Sequence, residues 1–245
     1  MVTVKRMLPT NLDLQTTRIA VELAILNPRT VPVTVEDIDY AVLLSAGPLQ
    51  LRRGGHLNQV GPILAGETVN VEFDERLNYP IRADVDSYLE LLKADSIPAV
   101  LRGKIRLRDG TESSFERRSS LVPPNLPRFM VFDSQAATYE SQGIDVTFYL
   151  RLVNENPFGV VVDAVEYAIE LDGRGVSEGT VGRAVRLIPG AVQEFEVVTS
   201  VDEQSYGRGW KEKLTKGVLR FRMDGVVRVS DLSLPVQQNG QISLK

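Results

Sequence analysis

The chain has 245 residues, 43% hydrophobic and 24% charged, with a formal net charge of −4. That length accommodates two domains of about 100–150 residues each. The balance is too hydrophobic and too weakly charged for disorder, and it lacks the positive excess that draws a whole protein to nucleic acid or anionic lipid. The absence of cysteine excludes disulfides and thiolate chemistry.

The first residues, Val2-Thr3-Val4-Lys5, alternate like a strand, with no charged and then apolar leader before them. This predicts a cytoplasmic protein if Met1 is the native start. The alternative is a periplasmic or outer-membrane lipoprotein whose signal has been removed. No apolar run approaches the ~20 residues of a spanning helix, because Glu22, Asp145 and Arg151 interrupt the longest candidates.

The dominant period is two. Ile19 to Ile25 carries large apolar residues at odd positions and ends at Asn27-Pro28; Ile38-Asp39-Tyr40-Ala41-Val42 follows. Gly47-Pro48 and Gly54-Gly55 read as turns, which places His56 in a loop. Leu64-Ala65-Gly66 leads into Val69, Val71 and Phe73, another alternating strand. Val85, Tyr88, Leu89 and Leu92 then recur at helical spacing behind Asp84, a predicted N-cap. Arg102, Lys104, Arg106 and Arg108 are predicted on one strand face, with Arg117 and Arg118 on the next strand after the turn Asp109-Gly110.

Three prolines in Val122-Pro123-Pro124-Asn125-Leu126-Pro127 predict an extended connector. The domain boundary is placed there, giving domains at 1–124 and 125–245. The second half repeats the first. Even positions are apolar from Ile144 to Leu152, Asn156-Pro157 closes the run, and Val160 to Val162 and Val165 to Ile169 follow. Asp172-Gly173 is a turn signal, and Gly173, Gly175, Gly179 and Gly182 sit between strands. Ile188-Pro189-Gly190 leads into Glu194-Phe195-Glu196 and Val197. Tyr206, Trp210 and Leu214 predict a second helix capped by Asp202, with Trp210 and Tyr206 anchoring it. Leu219, Phe221 and Met223 make a last alternating strand, and Asp224-Gly225 and Asn239-Gly240 read as turns.

Pairing the halves matches Asn27-Pro28 with Asn156-Pro157, Tyr40 with Tyr167, Gly66 with Gly190, and Arg106 to Gly110 with Arg220 to Gly225. In this pairing Arg29 stands opposite Phe158, and two extra residues separate Asn27 from Tyr40. The period is far longer than the ~20–50 residues of a solenoid, so it predicts a duplicated domain. Short strands with regular turn signals predict two tandem β-sandwiches, each with one short helix before its last strands.

Asn156-Pro157-Phe158, Tyr167, Pro189-Gly190 and the ending Gly240 to Lys245 resemble the water-stress and hypersensitive-response domain of group 2 late-embryogenesis-abundant proteins. The first half is similar through Asn27-Pro28, Tyr40 and Gly66. The resemblance implies a sandwich of the fibronectin-III or immunoglobulin type with one helix. It also implies a role in desiccation or stress protection, or in surface- and membrane-associated interaction, without a catalytic site.

No reaction is written in the residues themselves. The Asn-Pro pairs suit a scaffold role, as a side-chain-bonded turn with a fixed φ. His56 is the sole histidine, with no serine in a nucleophile-elbow sequence to serve. Asp84, Asp86 and Asp95 lack calcium-loop spacing. One histidine without cysteine excludes zinc, and no Gly-Lys-Ser/Thr makes a phosphate loop. No cofactor is expected. The basic stripe requires an offset for its own repulsion, supplied either by Glu112 and Glu116 or by a partner: an anionic surface, a lipid headgroup or an acidic protein. Without interleaved aromatics it does not suit single-stranded nucleic acid. The expectation is a non-enzymatic stress-protective protein acting on protein clients. The alternative is an exported, envelope-anchored binding module that uses a sandwich edge or the basic face.

Overall fold

A computed structural model describes residues 1–47, 49–79, 84–139, 143–202, 218–230 and 232–243, with the side chains of 59, 138, 139 and 202 excepted. The predicted second helix, with Tyr206, Trp210 and Leu214, lies outside the described residues, as does Pro48. The chain divides into two compact units, Met1–Pro124 and Asn125–Lys245. It is mainly β, built of antiparallel sheets.

In unit 1 the elements are β1 (Val2–Asn11), β2 (Thr16–Leu26), β3 (Val33–Ala46), β4 (Leu49–Ile63), β5 (Thr68–Asn78), α1 (Val85–Leu92), β6 (Ile97–Leu107) and β7 (Glu112–Leu121). They form a β1-β2-β5 sheet and a β4-β3-β6-β7 sheet. Unit 2 contains β8 (Arg128–Tyr139), β9 (Gly143–Val153), β10 (Val160–Val162), β11 (Ala164–Leu171), β12 (Arg174–Val181), β13 (Val185–Leu187), β14 (Val192–Asp202), β15 (Val218–Val229) and β16 (Leu232–Ser243). Its sheets are β14-β9-β8 and β12-β11-β15-β16, with a separate β10-β13 ladder. Set aside that ladder, and the two units have the same strand order.

Strand alternation builds both cores. Ile19 and Leu23 of β2, Ile38 and Leu44 of β3, and Ile97 and Leu101 of β6 are fully buried. In unit 2, Ile144, Phe148 and Leu150 of β9 do the same work, and Phe148 meets Phe221 edge-on at 5.6 Å. A buried side chain of this size contributes about 1.5–3 kcal/mol. Asp84 caps α1 by accepting the Ser87 amide at 3.0 Å. The buried stripe of α1 is Tyr88 and Leu91, while Val85 is 41% exposed, so the helical face is rotated from the predicted one. Tyr88 donates to the Leu14 carbonyl at 2.6 Å, which ties the helix to the β1–β2 loop.

Gly-containing pairs read as turns lie elsewhere in three cases. Gly54-Gly55 is inside β4, Asp224-Gly225 inside β15 and Asn239-Gly240 inside β16. His56 is therefore on a strand and not in a loop. Gly175 and Gly179 likewise belong to β12. Except at Gly175, where a Cβ would meet nothing, their role is clearance. Tyr40 sits between Gly55 and Gly103 of its two neighbouring strands, and Tyr167 between Gly179 and Gly225. A Cβ at Gly55 would collide with the Tyr40 ring. Tyr40 reaches past that gap to donate to Glu75 of β5 at 2.5 Å, bridging the two sheets. Burial, with Glu75 beside it, pushes its hydroxyl pKa up.

The strand ends are fixed by one buried asparagine in each unit. Asn27 Nδ2 donates to the carbonyls of Val31, Ile63 and Leu64 at 2.9, 3.0 and 3.1 Å, and its Oδ1 accepts the Arg29 amide at 3.0 Å. Asn154 repeats this set. Its Nδ2 donates to Phe158, Leu187 and Ile188 at 2.8, 3.3 and 3.1 Å, and its Oδ1 accepts the Asn156 amide at 3.1 Å. The counterpart of Asn27 is therefore Asn154, two residues before Asn156. The pairing of Arg29 with Phe158 falls with that correction, since Val31 occupies the Phe158 role. The two extra residues vanish too, because Tyr40 and Tyr167 then follow their asparagines at the same distance. Gly66 and Gly190 do correspond. Each sits at positive φ, 73° and 68°, in the turn that the asparagine grips. The Arg106–Gly110 pairing is also displaced: Asp109-Gly110 is the β6–β7 turn, whereas Asp224-Gly225 is mid-strand opposite Tyr167.

Asn156 has a separate task. It donates to the Asn125 carbonyl at 2.7 Å and accepts the Asn125 amide at 2.7 Å, which fastens the start of unit 2. Pro28 and Pro157 are exposed. Asn154→Ala leaves buried carbonyls without donors and is expected to cost roughly 3 kcal/mol in urea unfolding. Asn27→Asp is expected to be no milder, because it faces a carboxylate onto three carbonyl oxygens. A loss below about 0.5 kcal/mol in both variants contradicts the clamp.

Candidate functional site

Three of the predicted basic residues do share one face. Arg102, Lys104 and Arg106 point outward from the β4-β3-β6-β7 sheet, and Arg118 of β7 joins them. Arg117 takes the other face, because neighbouring strand residues alternate. Arg108 lies past the end of β6, in the turn. The stripe stands within a checkerboard of opposite charge. Asp37 and Asp39 of β3 are opposite Arg106 and Lys104 in the register, and Glu116 of β7 is opposite Arg102.

Two of those registers, Arg102 with Glu116 and Arg106 with Asp37, are ion pairs, while Lys104 turns to Glu112 and Asp39 to His56. Arg102 meets Glu116 at 3.0 Å and Lys104 meets Glu112 at 3.3 Å. Arg106 donates from Nε to Asp37 at 2.9 Å and also from NH2, with Glu36 at 3.9 Å. Arg118 shares Glu116 at 3.0 Å. The hydrogen bond from Arg118, with Arg102 alongside, holds the Glu116 carboxyl below the usual range. Asp37 raises the Arg106 guanidinium pKa. The stripe is thus offset by the molecule's own carboxylates, in exposed pairs that solvent screens and that add little to stability. The result is a hydrated, amphoteric surface. A shallow depression of about 500 Å³ lies on it, over Ala41 and Gly103 between Arg52, Arg102 and Lys104.

His56 extends the same face. Its Nδ1 lies 2.7 Å from Asp39 Oδ1, and both side chains are largely exposed. At the end of the unit, Arg29 donates to Asp109 and, at 2.9 Å, to Thr111, and so clamps the β6–β7 turn. The Arg29 hydrogen bond, with the Thr111 amide, holds the Asp109 pKa at about 2. Among the described residues no group of three or more acidic or histidine side chains is placed to hold a metal ion, and Asp84 is engaged in its cap.

Unit 2 presents a different face. A β-bulge between Val131 and Asp133 turns Phe132 outward, 37% exposed, and the Arg151 guanidinium lies 3.8 Å over its ring. Tyr149 is 6.2 Å away. Nothing in the sequence pattern signals this bulge, nor the role of Gln238 described below. The cue for Asn154 was its position at the end of an alternating run, which Asn156-Pro157 outweighed.

The described molecule is a pair of β-sandwich units that display charged, internally paired surfaces. Residues 149–240, within unit 2, match the family described as late embryogenesis abundant protein, LEA_2. The match supports that family for this one region, and the family is non-enzymatic. No curated protein matches the chain in sequence. Among solved structures it is similar to AT1g01470 from Arabidopsis thaliana at 12% identity and a TM-score of 0.39, over 51% of this chain and 85% of that one. A protein from Archaeoglobus fulgidus shows 14% identity and a TM-score of 0.32, over 48% and 98%. Red sea bream transglutaminase shows 12% identity and a TM-score of 0.32, over 99% of this chain and 32% of that one. Among the described residues no helix is long and apolar enough to cross a membrane.

Because His56 is the sole histidine, its ring is a clean probe of the face. Hydrogen bonding to Asp39 outweighs desolvation and raises its pKa above the ordinary 6.5. A raised folded-state value means that its contribution to stability is fully present below pH 6.5 and is lost as pH climbs through the folded pKa. Proton NMR titration should place the ring above 6.5, and Asp39→Asn should lower it; a titration at or below 6.5 in both proteins contradicts the pair.

Proposed function

We propose that this is a non-enzymatic protein of desiccation or freezing protection, made of two tandem domains of the late-embryogenesis-abundant type. The observation that carries the proposal is the family match at residues 149–240. Unit 1 supports the tandem reading through its own asparagine clamp, the same strand order and a tyrosine between two glycines. In this reading the protein acts on other proteins that begin to unfold, by contact and without turnover. The paired charges of the β4-β3-β6-β7 face keep that surface hydrated and uncommitted to one anionic ligand. Contact with clients falls to strand edges and to exposed apolar side chains.

The experiment is protection of a freeze-labile enzyme through cycles of freezing and drying, read as recovered activity and light scattering. Recovery well above that given by an equal mass of an inert globular protein is expected, and it should persist at 1 M salt, where the Debye length is ~3 Å. Recovery equal to that of the inert protein contradicts the function.

A further inference from the structure

Among the described residues, strand β8 ends one sheet of unit 2 and β16 ends the other, and each has a side without a ladder partner. Near Val131 a side chain fills that place. Gln238 Nε2 donates to the Val131 carbonyl at 2.8 Å, and Gln238 Oε1 accepts the Val131 amide at 2.8 Å. A carboxamide thereby supplies the donor and acceptor that a neighbouring strand's backbone would supply. Just beyond the bulge, the Ser134 amide is bonded to Asp133 Oδ1 at 2.8 Å. Two donors of this edge are held by side chains.

Past Gln238 the edges enclose an open groove of about 700 Å³. Val131, Phe132 and Phe221 give it apolar patches between the uncharged polar side chains of Ser134, Gln135, Gln241 and Ser243, and Gly240 leaves room for the Phe221 ring, which a Cβ would strike. Among the described residues, Asp133 is the one charged residue in its lining. The corresponding bulge in unit 1, at Val4/Arg6, carries Lys5, bonded to Asn70 at 3.1 Å and polar where Phe132 is aromatic. The aromatic side chain at this bulge is thus a feature that unit 2 adds to the common frame.

We infer that the open edge of β8, residues 131–136, is a strand-addition site for an extended, uncharged, β-prone segment of an unfolding client. This inference rests on the protective reading above. The client's backbone displaces Gln238 and Asp133 from the edge, and its alternate side chains pack against Phe132 and Phe221. The near-neutral lining selects against charged segments. The hydrogen bonds gained at the Val131 amide and carbonyl and at the Ser134 amide replace bonds made by the caps, so binding is weak and reversible, as release of a recovered client requires. In the absence of a client the same caps keep the edge from pairing with other chains.

The test uses the full chain and a fluorescent peptide, Thr-Val-Thr-Val-Thr-Val-Thr, followed by anisotropy. Wild type should bind it, and N-methylation of alternate amides should abolish binding in one register and spare it in the other. Gln238→Ala, which frees both the amide and the carbonyl of Val131, should bind at least about fivefold tighter. Asp133→Ala should tighten binding as well, without touching Gln238, and circular dichroism confirms that each variant is folded. Equal binding of both N-methylated peptides, or no tightening in either folded variant, overturns the site. A concentration-dependent dimer with no peptide uptake assigns the edge to a second copy of this chain and overturns the client assignment. Enzyme protection without peptide binding overturns the site and leaves the protective reading intact. Peptide binding with the predicted cap effects but no enzyme protection supports the site and contradicts that reading.

Discussion

One buried carboxamide in each unit sets the positions on which the rest depends. Asn27 and Asn154 stand where a central strand ends, and each draws three carbonyls and one amide onto a single side chain. The partners come from the loop that follows and from the turn that opens β5 or β14. A hydrophobic contact would hold these segments together at many angles. Four directional bonds leave one arrangement, and their donors and acceptors are unsatisfied if any segment shifts. No smaller or apolar side chain offers two donors and an acceptor at that spot.

From that fixed point the sheets impose their own logic. A tyrosine thirteen residues on enters the four-stranded sheet between two glycines, and in unit 1 it crosses to Glu75 of the facing sheet. The outward positions of the same sheet are free to carry charge. They carry it as alternating signs across neighbouring strands, so repulsion along β6 is relieved sideways by β3 and β7. Unit 2 keeps the frame and changes the edge: one bulge exchanges the Lys5 environment for Phe132 under Arg151. The frame and the surface chemistry are therefore separable, and the two units share the first while differing in the second.

Much of the frame was legible in the residues. Alternation from Ile19 to Ile25 and from Ile144 to Leu152 is a direct image of one-sided burial, and Asp84 declares its helix. The errors have a common physical source. Gly54-Gly55, Asp224-Gly225 and Asn239-Gly240 look like turns because glycine is usually needed for φ, yet here it clears space for the Tyr40 and Phe221 rings or for a neighbouring strand's backbone. Asn156-Pro157 looked like the partner of Asn27-Pro28 because proline is conspicuous, but the clamp is made by the carboxamide, and Asn154 has it. Offsets to the basic stripe were half visible: Glu112 and Glu116 were foreseen, while Asp37 and Asp39 arrive from a strand more than sixty residues away in sequence. The Gln238 cap on Val131 spans 107 residues and leaves no local trace.

The most direct measurement of the shared clamp is hydrogen exchange of the asparagine side-chain amides, followed by 15N NMR in the intact chain. The carboxamide protons of Asn27 and Asn154 should exchange as slowly as backbone amides of the central strands β2 and β9, because both are freed only when the strand ends open. Exchange of either at the rate of an exposed carboxamide would contradict the clamp, and with it the claim that both units are built on it.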